Sequence, residues 1–219
     1  MSWFYYLSRF CIRVVFTLFT RLRIEGKENL PENGSVLVVS NHLSLADPPL
    51  LSICLHRKVK FMAKEELFKF LPVKWVLTAL GAFPVNRGQV DRKALRRAAF
   101  VLDNDMVMVM FPEATRSRDL RLHQAYNGSS LIASRSRVPI LPVGLAGSEK
   151  ISGIGWLFRR FNVNVKIGKP FALPESTGKV TKDDLEVYTN IIMCQIADNL
   201  PEEYRGYYAC KKELIGVED

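Results

Sequence analysis

His42 and Asp47 are the two residues of this sequence best suited to moving a proton. A carboxylate beside a histidine holds the imidazole in one tautomer and stabilises the imidazolium that forms, so such a pair works as an oriented general base. A separation of five residues is poor for one helix face, where i and i+4 align best. A turn between a strand and a helix removes this obstacle. Considered alone, however, the pair is more often a satisfied turn histidine beside a helix start.

The flanking residues predict such a turn. The apolar, β-branched run Val36–Ser40 has the length and composition of a buried strand. Asp47 precedes Pro48 and Pro49, which predicts a helix start with Asp47 as N-cap and proline at the first helical position. We therefore expect His42 just past a strand end, with one ring nitrogen held by Asp47 and the other facing substrate.

Four segments of the chain stand out together: Asn41-His42-x4-Asp47 and residues 81–87, 111–117 and 138–144. In order and in spacing they resemble the motifs of the glycerolipid acyltransferases, the family of 1-acylglycerol-3-phosphate acyltransferases. The resemblance extends from about Ile24 to Gly144, and four motifs in order make a chance match improbable.

The resemblance implies transfer of an acyl group from acyl-CoA or acyl carrier protein to the free hydroxyl of 1-acylglycerol-3-phosphate, giving phosphatidic acid. No cofactor and no metal are expected. His42 would be the general base on the hydroxyl and Asp47 its orienting partner, a role worth about 10² to 10⁴ in rate. A thioester is already activated, so the alcohol can attack it without a serine or cysteine nucleophile.

The acceptor site implied by the resemblance contains Arg87, Glu113, Thr115 and Arg116. Arginine binds phosphate through paired hydrogen bonds that lysine cannot reproduce, so both arginines are expected on the glycerol phosphate. Thr115 would add a hydroxyl donor, and Glu113 would orient the arginines or a glycerol hydroxyl. The alternative for these residues is a surface ion pair, which is common and weak.

Asn41 and Gly144 complete the expected substrate-binding set. Gly144 is expected in a turn near the site, where its neighbours would supply a backbone donor for the oxyanion. Ala114 stands where the family usually has glycine, and alanine is strained if that position needs a positive φ. Tyr126 stands where many members carry lysine, and Arg118 or Arg121 is the candidate replacement. These differences concern the identity of the substrate more than the reaction.

Composition limits the other classes of function. The chain has 219 residues, a net charge of +9 and 48% hydrophobic residues, which indicates one folded domain with an anionic partner. Nucleic acid is not expected, because no basic run alternates with stacking aromatics. The four cysteines form no C-x-x-C pair and only three histidines are present, so zinc is not expected and the thiols are expected to be reduced.

Residues 1–23 are predicted to form an aromatic, basic helix lying in the interface of a membrane. The uncharged run after Arg13 is far shorter than the roughly 20 residues of a spanning helix, and no signal-peptide cleavage site follows. The alternative is an ordinary helix packed on the core. The predicted organisation is a membrane-associating helix over 1–23, an acyltransferase domain over 24–200 and a poorly ordered tail over 201–219. We expect a peripheral or monotopic protein at the cytoplasmic face of the membrane, with the phospholipid surface, lysophosphatidic acid and the acyl donor as partners.

Alternating strands and helices predict a single α/β domain with a mixed, mostly parallel sheet flanked by helices. The motifs fall at strand ends, where open α/β sheets bind their ligands. Further strands are predicted at 60–63, 83–85, 106–111, 140–143 and 162–167, and helices at 91–104, 126–136 and 181–200. The apolar segment 65–80 would be a membrane-facing surface, an acyl-groove wall or simply two packed helices. Alternative functions are acyl transfer to glycerol-3-phosphate or another lysolipid, and an inactive basic membrane-binding relative.

Overall fold

The computed structural model describes residues 2–85, 92–175 and 178–209. The α-helices of these residues are α1 Ser2–Phe19, α2 Asp47–Cys54, α3 Leu71–Ala79, α4 Arg92–Leu102, α5 Gly128–Ser136 and α6 Lys182–Ala197. The strands are β1 Thr20–Glu25, β2 Val36–Ser40, β3 Val59–Lys64, β4 Ala82–Val85, β5 Val107–Met110, β6 Ile140–Ala146 and β7 Phe161–Ile167. Each strand and helix predicted after residue 23 is present, with bounds shifted by a few residues.

The strands form one sheet in the order β1-β7-β6-β2-β5-β3-β4. Neighbouring strands are parallel except for β6 and β7, which are antiparallel. The predicted mixed, mostly parallel sheet is therefore confirmed. Because β1 and β7 run opposite to the other five strands, the start of β1 lies at the same sheet edge as the end of β2.

Helices cover both faces of the sheet. Leu37 and Val39 of β2 face the apolar layer formed with α4, α5 and α6, whereas Val36 and Val38 face the layer formed with α1 and α2. Every residue of β2 and of β6 is buried. A strand that is covered on both faces has a continuous apolar sequence, which explains why β2 was recognisable in the sequence.

The segment predicted as one helix over 1–23 divides into two elements. The helix α1 ends at Phe19, and residues from Thr20 onward form the edge strand β1, paired with β7. Exposure alternates along β1, with Leu22 and Ile24 half-buried between exposed charged residues. This period-two pattern is a strand signal, and the preceding aromatic run obscured it.

Arg9 links α1 to the segment that follows α2. Its guanidinium donates to the carbonyl oxygens of Leu55 and His56, just past the end of α2. Unpaired carbonyls at a helix C-terminus attract cations, so Arg9 fastens α1 to α2. Arg13 likewise donates to the carbonyl oxygen of Ile53, at 3.4 Å.

The start of the predicted tail packs on the domain, contrary to expectation. Tyr204 and Tyr208 are buried in the layer with α6, within short 3-10 turns. The Tyr204 hydroxyl donates to a Glu149 carboxylate oxygen at 3.1 Å, and the Tyr208 hydroxyl accepts from the Ala125 N–H at 3.3 Å. Two buried aromatic side chains account for the order of this segment. Residues 210–219 lie outside the described residues.

Gly144 is inside β6, so the turn expected at this residue is wrong. A Cβ added to Gly144 would lie 2.2 Å from the carbonyl oxygen of Asn199, just past the end of α6. The absence of a side chain therefore lets the chain after α6 approach the sheet closely.

Replacing Gly144 by alanine is expected to lower the free energy of unfolding by about 1–3 kcal/mol, because the added methyl group must displace backbone. Urea denaturation followed by circular dichroism measures this. Gly128→Ala is the control, because a Cβ there meets nothing within 4 Å. Equal unfolding midpoints for Gly144→Ala and the unmodified chain would contradict the close-approach explanation.

Candidate active site

The imidazole of His42 and the carboxylate of Asp47 are in direct contact. Nδ1 of His42 lies 2.8 Å from Oδ2 of Asp47, and the two residues are 6% and 0% exposed. Since the carboxylate accepts a hydrogen bond from Nδ1–H, the lone pair of the neutral ring is on Nε2. Nε2 has no hydrogen-bond partner among the described residues. The predicted contact between the two residues is confirmed, and a base at this position can accept a proton from a bound alcohol.

Asp47 is held by the turn that precedes it. The helix α2 begins at Asp47 with Ala46 as its N-cap, so the expected N-cap role of Asp47 is wrong by one residue. Oδ2 instead accepts the N–H groups of Leu43 and Ser44, both at 2.7 Å, in addition to the imidazole. Three donors on one buried oxygen fix the carboxylate, while Oδ1 is buried without a partner among the described residues.

Phe111 supports one face of the His42 imidazole. The two rings are stacked with centroids 4.2 Å apart and planes inclined by 22°. Phe111 directly follows β5, the sheet neighbour of β2, and so it emerges beside His42. Phe111 lies within one of the family motifs, yet sequence reasoning assigned it no role. Its position immediately after a strand adjacent to β2 was the available signal.

Glu113 joins two loops through their backbones. Oε2 accepts the N–H of His42 at 3.4 Å, and Oε1 accepts the N–H of His123 at 2.9 Å. Burial raises the pKa of the Glu113 carboxyl, and the backbone donors of His123 and His42 act in the opposite direction. Glu113 was expected to orient arginines, yet it forms no ion pair with an arginine in the described part of the chain.

Asn41 extends the pairing of β2 with β6. Its amide nitrogen donates to the carbonyl of Leu145 at 2.9 Å, and its amide oxygen accepts the Leu145 N–H at 2.8 Å. The residue is 1% exposed. These bonds position the backbone directly before His42. Binding of substrate by Asn41 stays a prediction.

Comparison with known proteins places this constellation in a family. The family model described as Acyltransferase matches residues 21–146, more than half of the chain. The chain belongs to the acyltransferase family. All four motifs lie inside the matched region, between the end of β2 and the strand β6.

Three similar members of the acyltransferase family carry related names. The chloroplastic 1-acyl-sn-glycerol-3-phosphate acyltransferase LPAT1 of Arabidopsis thaliana is 35% identical over 159 residues, covering 69% of this chain and 44% of that protein. The 1-acyl-sn-glycerol-3-phosphate acyltransferase of Bacillus subtilis is 26% identical over 200 residues, covering 88% and 96%. The crystal structure of the 1-acyl-sn-glycerophosphate (LPA) acyltransferase PlsC from Thermotoga maritima matches with 30% identity and a TM-score of 0.65, covering 86% and 76%. The chain spans less than half the length of the two chloroplastic relatives, from Arabidopsis thaliana and Brassica napus, that it matches.

The structure describes only some of the residues expected to bind the acceptor. Arg87 lies outside the described residues. Thr115 and Arg116 are exposed on the loop after β5, and the Thr115 hydroxyl donates to the Arg116 carbonyl at 3.3 Å. Arg116 forms no ion pair with any residue that the structure describes, so the surface-ion-pair alternative has no support at this residue. Phosphate binding by Arg116 stays a prediction.

A second carboxylate–imidazole pair lies on the loop that Glu113 ties to His42, and sequence reasoning missed it. Oδ1 of Asp119 accepts from the Ser117 hydroxyl at 2.9 Å and lies 2.7 Å from Nε2 of His123. The Ser117 hydroxyl and the His123 imidazole lower the pKa of Asp119 to about 2. The spacing of four residues between Asp119 and His123 was the signal that could have revealed the pair.

Ala114 has φ 55, the left-handed conformation in which alanine was expected to be strained. Its N–H donates to the Phe111 carbonyl at 3.0 Å, closing the turn between Phe111 and Glu113. The turn therefore keeps a conformation suited to the glycine that the family usually has there.

Ala114→Gly is expected to raise the free energy of unfolding by up to about 1 kcal/mol, because relief of the left-handed strain exceeds the added freedom of the unfolded chain. Urea denaturation measures the change. Ala99→Gly within α4 is the control, and a helix interior predicts a loss of about 1 kcal/mol there. The strain argument fails if both glycine variants lose stability equally.

Proposed function

We propose that this chain transfers an acyl group from acyl-CoA or acyl carrier protein to the sn-2 hydroxyl of 1-acyl-sn-glycerol-3-phosphate, making phosphatidic acid. The observation that carries the proposal is the buried His42–Asp47 pair, with Nε2 unpartnered among the described residues, at a strand end of an acyltransferase-family fold. The names of the similar plant and bacterial proteins support the choice of acceptor.

His42 takes the proton of the acceptor hydroxyl on Nε2 while the hydroxyl oxygen attacks the thioester carbonyl carbon. The tetrahedral intermediate then collapses, the carbon–sulfur bond breaks, and the imidazolium returns the proton to the departing thiolate. Asp47 stabilises the imidazolium because its fixed carboxylate lies 2.8 Å from Nδ1. Stacking on Phe111 and the backbone bond to Glu113 hold the ring and the main chain of His42 in place.

Arg116 is proposed to bind the acceptor phosphate, together with Arg87. Arg116 is exposed three residues after the buried Glu113, at the rim of the loop that carries Phe111. Its guanidinium can therefore offer paired donors to a phosphate group. Transfer to glycerol-3-phosphate or another lysolipid is the second candidate. It is favoured by Tyr126, an exposed, uncharged residue at a position where many family members carry lysine.

We further propose that the chain binds the surface of a membrane from its cytoplasmic face through α1 and its neighbours. No helix of the described residues combines the length and apolarity needed to cross a bilayer. The outward side of α1 is nevertheless apolar, with Trp3, Phe10 and Leu18 exposed by 69%, 64% and 58%. Trp75 of α3, a helix that α1 contacts, is also 67% exposed. An exposed apolar face with aromatic residues is typical of helices that lie in a membrane interface.

His42→Ala is expected to lower the turnover of purified protein by about 10² to 10⁴, because no base remains for the acceptor hydroxyl. Thiol release from acyl-CoA in the presence of lysophosphatidic acid measures this, with an acceptor panel that varies the headgroup.

Asp47→Asn is also expected to lower the turnover, since an amide carries no charge to stabilise the imidazolium. His56→Ala is the control, because His56 is exposed beyond the end of α2. Thiol release by His42→Ala at the rate of the His56→Ala control would refute the general-base role.

Phe10→Ser is expected to weaken binding to phosphatidylcholine vesicles by about 10- to 100-fold, the equivalent of removing one buried aromatic side chain from the interface. Co-sedimentation with vesicles measures the affinity. Val187→Ser on α6 is the matched control, since Val187 is 52% exposed and distant in sequence from α1. Equal sedimentation of the two variants would exclude α1 as the membrane-binding face.

A further inference from the structure

A groove separate from the candidate active site runs between α1 and the edge strand β1. It has a volume of about 380 Å³, within the range of roughly 300–1,000 Å³ usual for ligand sites. Its apolar lining consists of Leu22, Ile24 and Ile53. None of the candidate active-site residues is among the described residues that line it.

Four cations surround this groove: Arg13, Arg21, Lys27 and Arg160. All four are exposed, and no acidic side chain is among the described residues that line the groove. None of the four forms an ion pair within the described part of the chain. Cations gathered without compensation create a positive potential that favours an anionic ligand.

Two of these cations are held in place by backbone carbonyls. Arg13 donates to the Ile53 carbonyl at 3.4 Å, and Arg160 donates to the Thr17 carbonyl at 3.3 Å. Each bond uses one terminal nitrogen of a guanidinium group that has five N–H donors, so further donors remain for a ligand. The rim is therefore partly preorganised for an anion.

The combination of an apolar lining and a cationic rim selects one class of ligand. A dissolved phosphate ion would use the rim alone, and single-stranded nucleic acid would need stacking aromatics, which are not among the lining residues described. Phe10 and Val14, exposed on the same helix that supplies Arg13 and Thr17, place the groove beside the proposed membrane surface.

We propose that this groove binds an anionic membrane phospholipid, with its phosphate among the four cations and its glycerol end over Leu22, Ile24 and Ile53. The proposal rests on the membrane association proposed above, but not on the acyl-transfer chemistry. The site holds a lipid of the bilayer and thereby makes binding of the chain sensitive to the anionic lipid content. Each cation removed should weaken binding to an anionic surface by about fivefold.

The test compares two double variants with equal loss of charge. Arg21→Gln with Arg160→Gln removes two groove cations, whereas Arg23→Gln with Arg159→Gln removes two exposed neighbours that do not line the groove. Vesicles of phosphatidylcholine, with and without phosphatidylglycerol, are the probes. The groove variant is expected to lose about 20-fold in affinity for the phosphatidylglycerol vesicles, and the control variant much less. Equal losses would show that only the general charge acts and would overturn the proposal.

Two further arms distinguish a bound phospholipid from free phosphate and from the acyl acceptor. Inorganic phosphate is expected to compete with phosphatidylglycerol vesicles no better than sodium chloride of equal ionic strength; stronger competition would identify a free-phosphate site and overturn the lipid assignment. The groove variant is expected to keep its binding to phosphatidylcholine vesicles, whereas Phe10→Ser is expected to lose it. The groove variant is also expected to keep thiol release with detergent-dispersed lysophosphatidic acid as acceptor. Loss of that release would place the cations in the acceptor site and overturn a separate groove.

Discussion

One buried carboxylate oxygen organises the candidate site. Oδ2 of Asp47 accepts the Leu43 and Ser44 N–H groups and the imidazole of His42, and it lies in a residue with no exposed surface. A buried carboxylate is tolerated only when donors surround it, so the Asp47 carboxylate needs the N–H groups of this turn. The turn in turn needs the carboxylate as the acceptor for those N–H groups. The same bonds that satisfy the turn aim Nε2 of His42 outward. Local folding and the orientation of the base are thus a single arrangement.

The sheet supplies the remaining supports because its strands end at a common edge. Phe111 follows β5 and stacks on the imidazole, while Asn41 pairs with Leu145 of β6 on the other side. Glu113 then ties the backbone of His42 to the loop that carries His123. Neighbours on both sides of β2 therefore fix one histidine. Its position depends on these long-range contacts as well as on its own turn.

The N-terminal helix packs on the core with one side and exposes apolar side chains on the other, so packing on the core is compatible with the proposed membrane association. Tyr5 and Phe16 are buried, and Arg9 caps the end of α2. The opposite side of the helix exposes a run of large apolar side chains that nothing in the described residues covers. These exposed apolar side chains are the basis of the proposed binding to a membrane surface.

The sequence by itself determined the α/β class, the strand at Val36–Ser40, the helix after Asp47 and the contact between Asp47 and His42. These features follow from local periodicity and turn chemistry, which are readable within a few residues. It also indicated that Ala114 would be strained if φ were positive, and the fold supplies that condition. Arg87 lies outside the described residues, so its predicted role in binding the acceptor stays a prediction.

Only the tertiary structure decided the roles of Gly144, Glu113 and the edge strand β1. Gly144 is required by the approach of Asn199, and Glu113 is occupied by backbone donors from two separate loops. Strand β1 forms because β7, more than 130 residues later in the chain, offers it a partner. The first two features depend on residues far apart in the sequence that meet only when the sheet assembles, and they leave no local pattern to read. The period-two pattern of β1 is local, but pairing with β7 decides that it forms a strand.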